Sequence, residues 1–358
     1  MRDAPLLNLV LGVVLAIAIG WLLMIGQALL LPILAAVITV YIIVTASGAL
    51  AGLPGMNRLP SAVPRFAVLL LFTLVVAVIA VVVASTAREI ASVMPRYEAN
   101  LEGLLDRSAA MFDLDTQELL NEIRAVTIDQ IDIRRLVVAL LGGFTSVGSS
   151  IFLVIVYAAF LLSEREGFHG KIRAAFRDEA QAARVSAVIG DMNRKIGDYL
   201  FVKTLINLIV GVLSFAVLWA MGVDFALFWA ITIGLLNYIP YVGSYIAVAM
   251  PVLLSLAQFA SVSTTLVLTA LLVAVQVFVG NYLEPRIIGK ELNLSPFVVI
   301  VSLIFWASLW GVPGAILAIP MTSVIVIGLS SFEATRFLAV LLANRIEDEN
   351  ALICSDPR

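Results

Sequence analysis

Residues 225–257 read FALFWAITIGLLNYIPYVGSYIAVAMPVLLSLA. The first arm, Phe225 to Leu236, is 12 residues, roughly 18 Å as helix and well short of an apolar bilayer core about 30 Å thick. The arm stops at Asn237-Tyr238-Ile239-Pro240-Tyr241-Val242-Gly243. A second apolar arm, Ser244 to Ala257, carries Pro251 inside it. A Pro/Gly break frees backbone N–H and C=O groups, and lipid cannot satisfy them. Such a break is tolerated at membrane depth only inside protein or against a water-filled cavity.

The pattern recurs. A full span, Gly197 to Met221, precedes the first broken pair, and another, Thr264 to Leu283, precedes a second. That second pair is Pro296 to Trp310, a break at Gly311-Val312-Pro313-Gly314, and Ala315 to Leu329 with Pro320 inside. Two copies of one unit are expected, roughly 197–258 and 264–331. Loop charges run the first long span from inside to outside and the second one back, so the repeat is inverted. Inverted repeats of interrupted helices place a substrate site near the midplane, where the breaks meet. The alternative is that each pair is two ordinary short helices joined by a surface loop.

The remainder of the chain fits a lipid solvent. Of 358 residues, 62% are hydrophobic and 13% charged, with a mean hydropathy of +1.07; a soluble domain carries about a quarter charged residues. Further runs long enough to span are Leu6–Ile25, Leu29–Leu50, Phe66–Ala87 and the shorter Val147–Leu162. Gln27 to Pro32 reads as a tight hairpin, and Gly52, Pro54, Gly55, Asn57, Pro60 and Pro64 as an irregular link. The expected class is an all-α integral membrane protein with about eight membrane segments, two of them Pro/Gly-broken hairpins, re-entrant if the breaks lie at membrane depth. The expected divisions are spans over 1–87, an extracytoplasmic amphipathic segment 88–145 and a span 146–163. A cytoplasmic amphipathic segment 164–196, a transport core 197–333 and a cytoplasmic tail 334–358 follow.

Charge assigns the sides. Segment 88–145 holds six Arg against ten acids, and Asp115 with Glu118 at capping-box spacing opens a short amphipathic helix there. Segment 164–196 holds seven Lys and Arg against five acids. Short basic loops stay in the cytoplasm. Arg58 with Arg65, segment 164–196, and Arg286 with Lys290 therefore lie inside, and both termini with them.

Polar residues within the spans are the candidates for function, because each is costly in lipid unless it faces a bundle interior or cavity. Lys203, Asn207, Gly211 and Ser214 share a face of the first long span; Gln276, Gly280 and Glu284 share one on the second. Lys203 either lines a path or snorkels to the interface. Asn237 offers both a donor and an acceptor to a hydroxylated solute or a cation's oxygen shell, or else caps its own helix. Pro285 should end the long span near Glu284, leaving Glu284 and Arg286 each to partner the other or a broken-helix end, as a gate or an anchor. Asp224 is expected to cap the arm that follows it. His169 sits among charges as a solvated loop residue, and the single Cys354 lies near the C-terminus. No zinc, phosphate-loop or nucleophile-elbow spacing occurs, so no metal, cofactor or catalysis is expected, and a net charge of −3 gives nucleic acid nothing to bind.

The stretch Gly280-Asn281-Tyr282-Leu283-Glu284-Pro285-Arg286-Ile287-Ile288-Gly289-Lys290 resembles the signature of the autoinducer-2 exporter family. The likeness continues through Leu292, Leu294, Ser295, Pro296, Leu303–Trp306, Gly311–Gly314 and Ile319-Pro320. Upstream, Leu236-Asn237-Tyr238-Ile239-Pro240 with Gly243 and Pro251, and Asp198-Tyr199-Leu200 with Lys203, are similar to the same family. The resemblance implies a transporter of the bacterial inner membrane and assembly as a homo-oligomer, a pentamer being one candidate. It implies export of autoinducer-2, a small polyhydroxylated quorum-sensing signal, or Na+(Li+)/H+ antiport on the same scaffold. A non-transporting scaffold or regulator is the reading from another class. Partners are then a small polar solute or a monovalent cation and proton, and the bilayer. Pathway candidates are Lys203, Asn207, Asn237, Pro240, Gly243, Gln276, Asn281, Glu284, Arg286, Pro313 and Gly314.

Overall fold

The computed structural model describes residues 5–52, 60, 62–111, 133–176, 178–288, 294–330 and 335–344. The elements are α1 (Pro5–Ile25), α2 (Gln27–Ala51), α3 (Ala62–Met111), α4 (Ile133–Ala175), α5 (Glu179–Ala220), α6 (Ala226–Leu236), α7 (Val242–Phe259) and α8 (Val262–Phe278). A π-helical turn (Val279–Leu283), α9 (Glu284–Ile288), α10 (Pro296–Ser330) and α11 (Arg336–Leu342) complete the described elements. Among the described residues, the one piece of β structure is an isolated bridge between Leu294 and Ala343.

Among the described residues, six stretches are long and apolar enough to cross a membrane: Gln27–Ala51, Ala62–Thr86, Glu179–Ala220, Val242–Phe259, Val262–Ile287 and Pro296–Ser330. Val10–Ile25 and α6 are apolar but shorter. Their outer faces are as apolar as their inner ones. Leu70, Leu71, Leu74, Val78 and Val81 on α3 are all exposed, a pattern that suits a helix surrounded by lipid. The protein is an all-α, multi-pass membrane protein.

Several boundaries differ from those expected. Gln27–Pro32 is helix, and only Gly26 interrupts α1 and α2. Its N–H donates to Leu22 O at 2.8 Å, and Leu30 N donates to Gly26 O at 2.8 Å, so helical bonding resumes within one residue. Pro32 lies inside α2, where its missing N–H costs one bond close to an existing interruption. The Pro/Gly link falls largely outside the described residues, as do Asp115 and Glu118. Arg88 to Met111 continues α3 as one helix. Likewise α4 and α5 each run unbroken from apolar span into charged flank, because nothing in those sequences stops a helix at the interface.

The chain divides into two compact units: residues 1–46, 153–200 and 290–358 form the first, and 47–152 and 201–289 the second. The core of the second unit joins Val83 and Ile90 of α3, Ile206, Val210 and Leu218 of α5, and Phe228, Trp229 and Ile233 of α6 to Ala247, Leu268, Leu272 and Val279. Small residues let α5 and α6 approach closely: a Cβ on Gly211 would meet Ala230 O at 3.3 Å, and one on Gly234 would meet Asn207 O at 3.1 Å. In the first unit, Tyr41 of α2 donates to Asn193 Oδ1 of α5 at 2.7 Å, and Trp310 Nε1 of α10 donates to Leu23 O of α1 at 3.0 Å.

Both broken pairs fold back as helical hairpins. Within α10, Gly311 leaves helical geometry (φ 63°, ψ −142°). Trp306 Nε1 then reaches Thr322 Oγ1 at 3.1 Å, whereas 16 residues of straight helix would separate them by about 24 Å. A Cβ on Gly314 would overlap Trp306 O. In the other pair α6 packs against α7, and a Cβ on Gly243 would overlap Leu236 O. The same device, a glycine pressed against the carbonyl of the preceding arm, closes both turns.

Candidate functional site

The polar residues expected on α5 gather in the second unit along one seam. Lys203, Asn207 and Ser214 are all buried, at the i, i+4 and i+11 positions of one helix face. Opposite Lys203 stands Glu284: Nζ donates to Oε1 at 2.5 Å, with side chains 9% and 28% exposed. Lys203 therefore turns inward to a carboxylate and does not snorkel. One turn along, Asn237 Nδ2 at the end of α6 donates to Asn207 Oδ1 at 2.9 Å. Tyr238, the next residue in the break, shares a hydrogen bond with Thr204 at 2.7 Å and also faces Asn207.

The π turn explains how Glu284 reaches Lys203. A prolonged α-helix would stack Gln276, Gly280 and Glu284 on one stripe. Five residues in π geometry widen the turn, and Glu284 N–H bonds back to Val279 O. Val279 is then buried while Gly280 and Asn281 are exposed. The expected end of the span at Glu284 is overturned for the same reason: Pro285 lacks an N–H and crowds the carbonyl four residues back, and a wider turn before it lets the helix continue to Ile288.

Glu284 and Arg286 do not pair. Arg286 lies over the Tyr282 ring at 3.7 Å and donates to its hydroxyl at 2.5 Å, on the exposed side of α9. Pro240 and Gly243 shape the break, as described above. Pro313 and Gly314 shape the other break and belong to the first unit. Asp224 is no helix cap: Phe225 holds the N-cap position without a side-chain bond, and the Asp224 carboxylate is taken by Arg96 and Tyr97 of α3.

The seam has unused bonding capacity. Gln276 Nε2 on α8 is buried without a hydrogen-bond partner, and Asn207 Nδ2 has only the Tyr238 hydroxyl before it. A buried donor without a partner costs about 1–3 kcal/mol, so the arrangement favours an incoming acceptor. Among the described residues no group of acidic, histidine or cysteine side chains could hold a metal ion. Sequence reasoning missed Thr204 and Tyr238, though both adjoin residues it singled out; a hydroxyl beside Lys203 and a phenol inside the break were the available signals.

A buried lysine and two buried amides, with a half-buried carboxylate and hydroxyls, converge on the interruption of a membrane helix, an arrangement that suits passage of a polar solute. The profile of the AI-2E family transporter matches residues 11–333. The chain belongs to that family. The transporter is 34% identical over 293 residues to the AI-2 transport protein TqsA of Escherichia coli K12, covering 79% of this chain and 82% of TqsA. It is 30% identical over 262 residues to YhhT of the same organism, whose name assigns transport provisionally, covering 73% and 74% of the two chains. A provisionally named transport protein of Borreliella burgdorferi is 34% identical over 201 residues, 56% of this chain and 54% of that one.

Proposed function

We propose that the protein is a secondary transporter of the bacterial cytoplasmic membrane that exports a small polar solute, autoinducer-2 or a compound of similar chemistry. The seam of Lys203, Thr204, Asn207, Asn237, Tyr238 and Glu284 forms part of its path. The observation that carries this reading is the buried Asn207 amide beside the helix break, bonded to Asn237 through Oδ1 and facing Tyr238. Amides and hydroxyls at that spacing can exchange their mutual bonds for those of a polyhydroxylated guest. The name of TqsA supports the solute, and the basic loops support cytoplasmic termini. Assembly as a homo-oligomer follows from the family resemblance.

Na+(Li+)/H+ antiport is the second reading, and the Lys203–Glu284 pair favours it. A half-buried carboxylate with a built-in buried cation is a site where an incoming proton or metal cation displaces the lysine. Proteoliposome flux separates the two. Uptake of labelled autoinducer-2 precursor that Asn237→Ala and Glu284→Gln abolish supports solute export. Sodium-dependent proton movement with no precursor flux supports the antiporter.

A further inference from the structure

The first hairpin concentrates its backbone strain at three corners. Among the described residues, the non-glycine residues with positive φ are Phe225 at 59°, Tyr241 at 59° and Ala260 at 46°. They stand at the start of α6, at the break and at the end of α7. Residues held in such conformations persist only where their surroundings over-determine them.

One turn of α3 does this for two of the corners. Arg96 pairs with Asp224 Oδ2, and the buried Tyr97 hydroxyl donates to the same oxygen at 2.8 Å. Asn100, on the same face of α3, donates through Nδ2 to Ala257 O at 3.1 Å and to Gln258 O at 2.8 Å. These are among the last carbonyls of α7, which no intrahelical donor reaches. Gln258 closes the ring: its Oε1 accepts from Asp224 N–H at 2.8 Å, and its Nε2 donates to Gly222 O at 2.8 Å. The start of α6 and the end of α7 are thus tied to each other and to Arg96–Asn100. Burial first, and then the hydrogen bond and charge of Asp224, hold the Tyr97 phenol well above the usual tyrosine range, against a smaller opposing effect of Arg96. Tyr97 therefore stays a neutral donor to the carboxylate.

The third corner is built differently. Tyr241 is 54% exposed, and local bonds close its turn: Val242 N–H to Pro240 O at 2.6 Å and Ser244 Oγ to Tyr241 O at 3.1 Å. We propose that the α3 clasp is the fixed base of this hairpin, that the Tyr241 corner is its moving end, and that Asp224 is a positioning residue for transport. α6 has 11 residues and is about 16 Å long, too short to bend much. With its start held by Asp224, the height and rotation at which its far end presents Asn237 to Asn207 are set. The inference rests on the reading of the seam as part of the transport path.

The test uses the full chain in proteoliposomes, with Cys354→Ser and Asn237→Cys, labelled by a membrane-permeant maleimide. With the clasp intact, Cys at the buried position 237 reacts slowly. Asp224→Asn, and separately Arg96→Gln at the exposed end of the clasp, are expected to speed labelling about tenfold, as loss of one charged hydrogen bond allows, with a thermal midpoint lowered by no more than loss of that one bond. In the chain that keeps Asn237, the same substitutions raise the KM for labelled autoinducer-2 precursor more than they lower kcat. Equal labelling rates in every variant would overturn the positioning role. Faster labelling with a fall in thermal midpoint well beyond loss of that one bond would also overturn it, by making the clasp a general stabiliser. If precursor flux is absent even from the unsubstituted protein, the solute reading fails, while the labelling contrast still decides the clasp.

Discussion

The two broken hairpins use one sequence device for opposite ends. In α10 the break falls on Gly311, whose positive φ meets no Cβ penalty. Its arms are then fastened by aromatic side chains. Trp306 bonds Thr322, Trp310 bonds Leu23 O, and the Trp306 and Trp310 rings lie 5.1 Å apart. In the first hairpin the break falls on Tyr241, where positive φ is costly, and Asn237 and Tyr238, at the start of the break, bond polar groups of α5. One break is relaxed and fastened. The other is strained and lined with groups that can change partners. A Pro/Gly interruption alone does not single out a candidate path; its surroundings are what make the first break the one proposed.

The largest expected effect comes from the ion pair, and it is asymmetric. Glu284→Gln leaves the Lys203 ammonium buried without an anion and should cost about 3–5 kcal/mol. Lys203→Met leaves a partly exposed carboxylate and should cost less. Combined, the two substitutions should recover most of the stability, measured as thermal unfolding in detergent, without recovering transport. Additive losses would show that the pair contributes nothing as a pair.

Next come the glycines. An added Cβ at Gly243 or Gly314 overlaps a backbone carbonyl, and overpacking of that kind costs about 1–3 kcal/mol. Gly314→Ala should lower stability and flux together, since its hairpin is fastened on both sides. Gly243→Ala should lower flux more than stability, because the Tyr241 corner can yield. The same loss from both would erase the contrast between the hairpins.

The smallest effect separates the hydrogen bonds. Trp306→Phe removes one buried bond and should cost about 1 kcal/mol while leaving transport intact, since Thr322 can turn to a helix carbonyl. Asn237→Ala should change stability by no more than that and abolish flux. Comparing melting and flux of the two proteins in parallel checks both statements.

Much of this was legible in the sequence, for physical reasons. Apolar runs near 20 residues marked the spans, and Pro240, Gly243, Pro313 and Gly314 marked the breaks, because backbone polar groups in lipid leave few alternatives. The Lys203-Asn207-Ser214 stripe followed from helical spacing alone. The partner of Glu284 was not legible. The motif Glu284-Pro285-Arg286 invites a local pair, but the π turn re-aims Glu284 toward a lysine 81 positions earlier, and no side-chain periodicity announces a π turn. The role of Asp224 was hidden in the same way. Its partners Arg96 and Tyr97 lie beyond the expected end of the third span, and only the continuation of α3 as one helix brings them to it.

The most direct test of the central claim is precursor flux in proteoliposomes carrying the unsubstituted protein, Asn237→Ala or Trp306→Phe. The account predicts flux from the unsubstituted protein and from Trp306→Phe, and none from Asn237→Ala. Equal flux from all three would contradict the placement of the path beside the strained break.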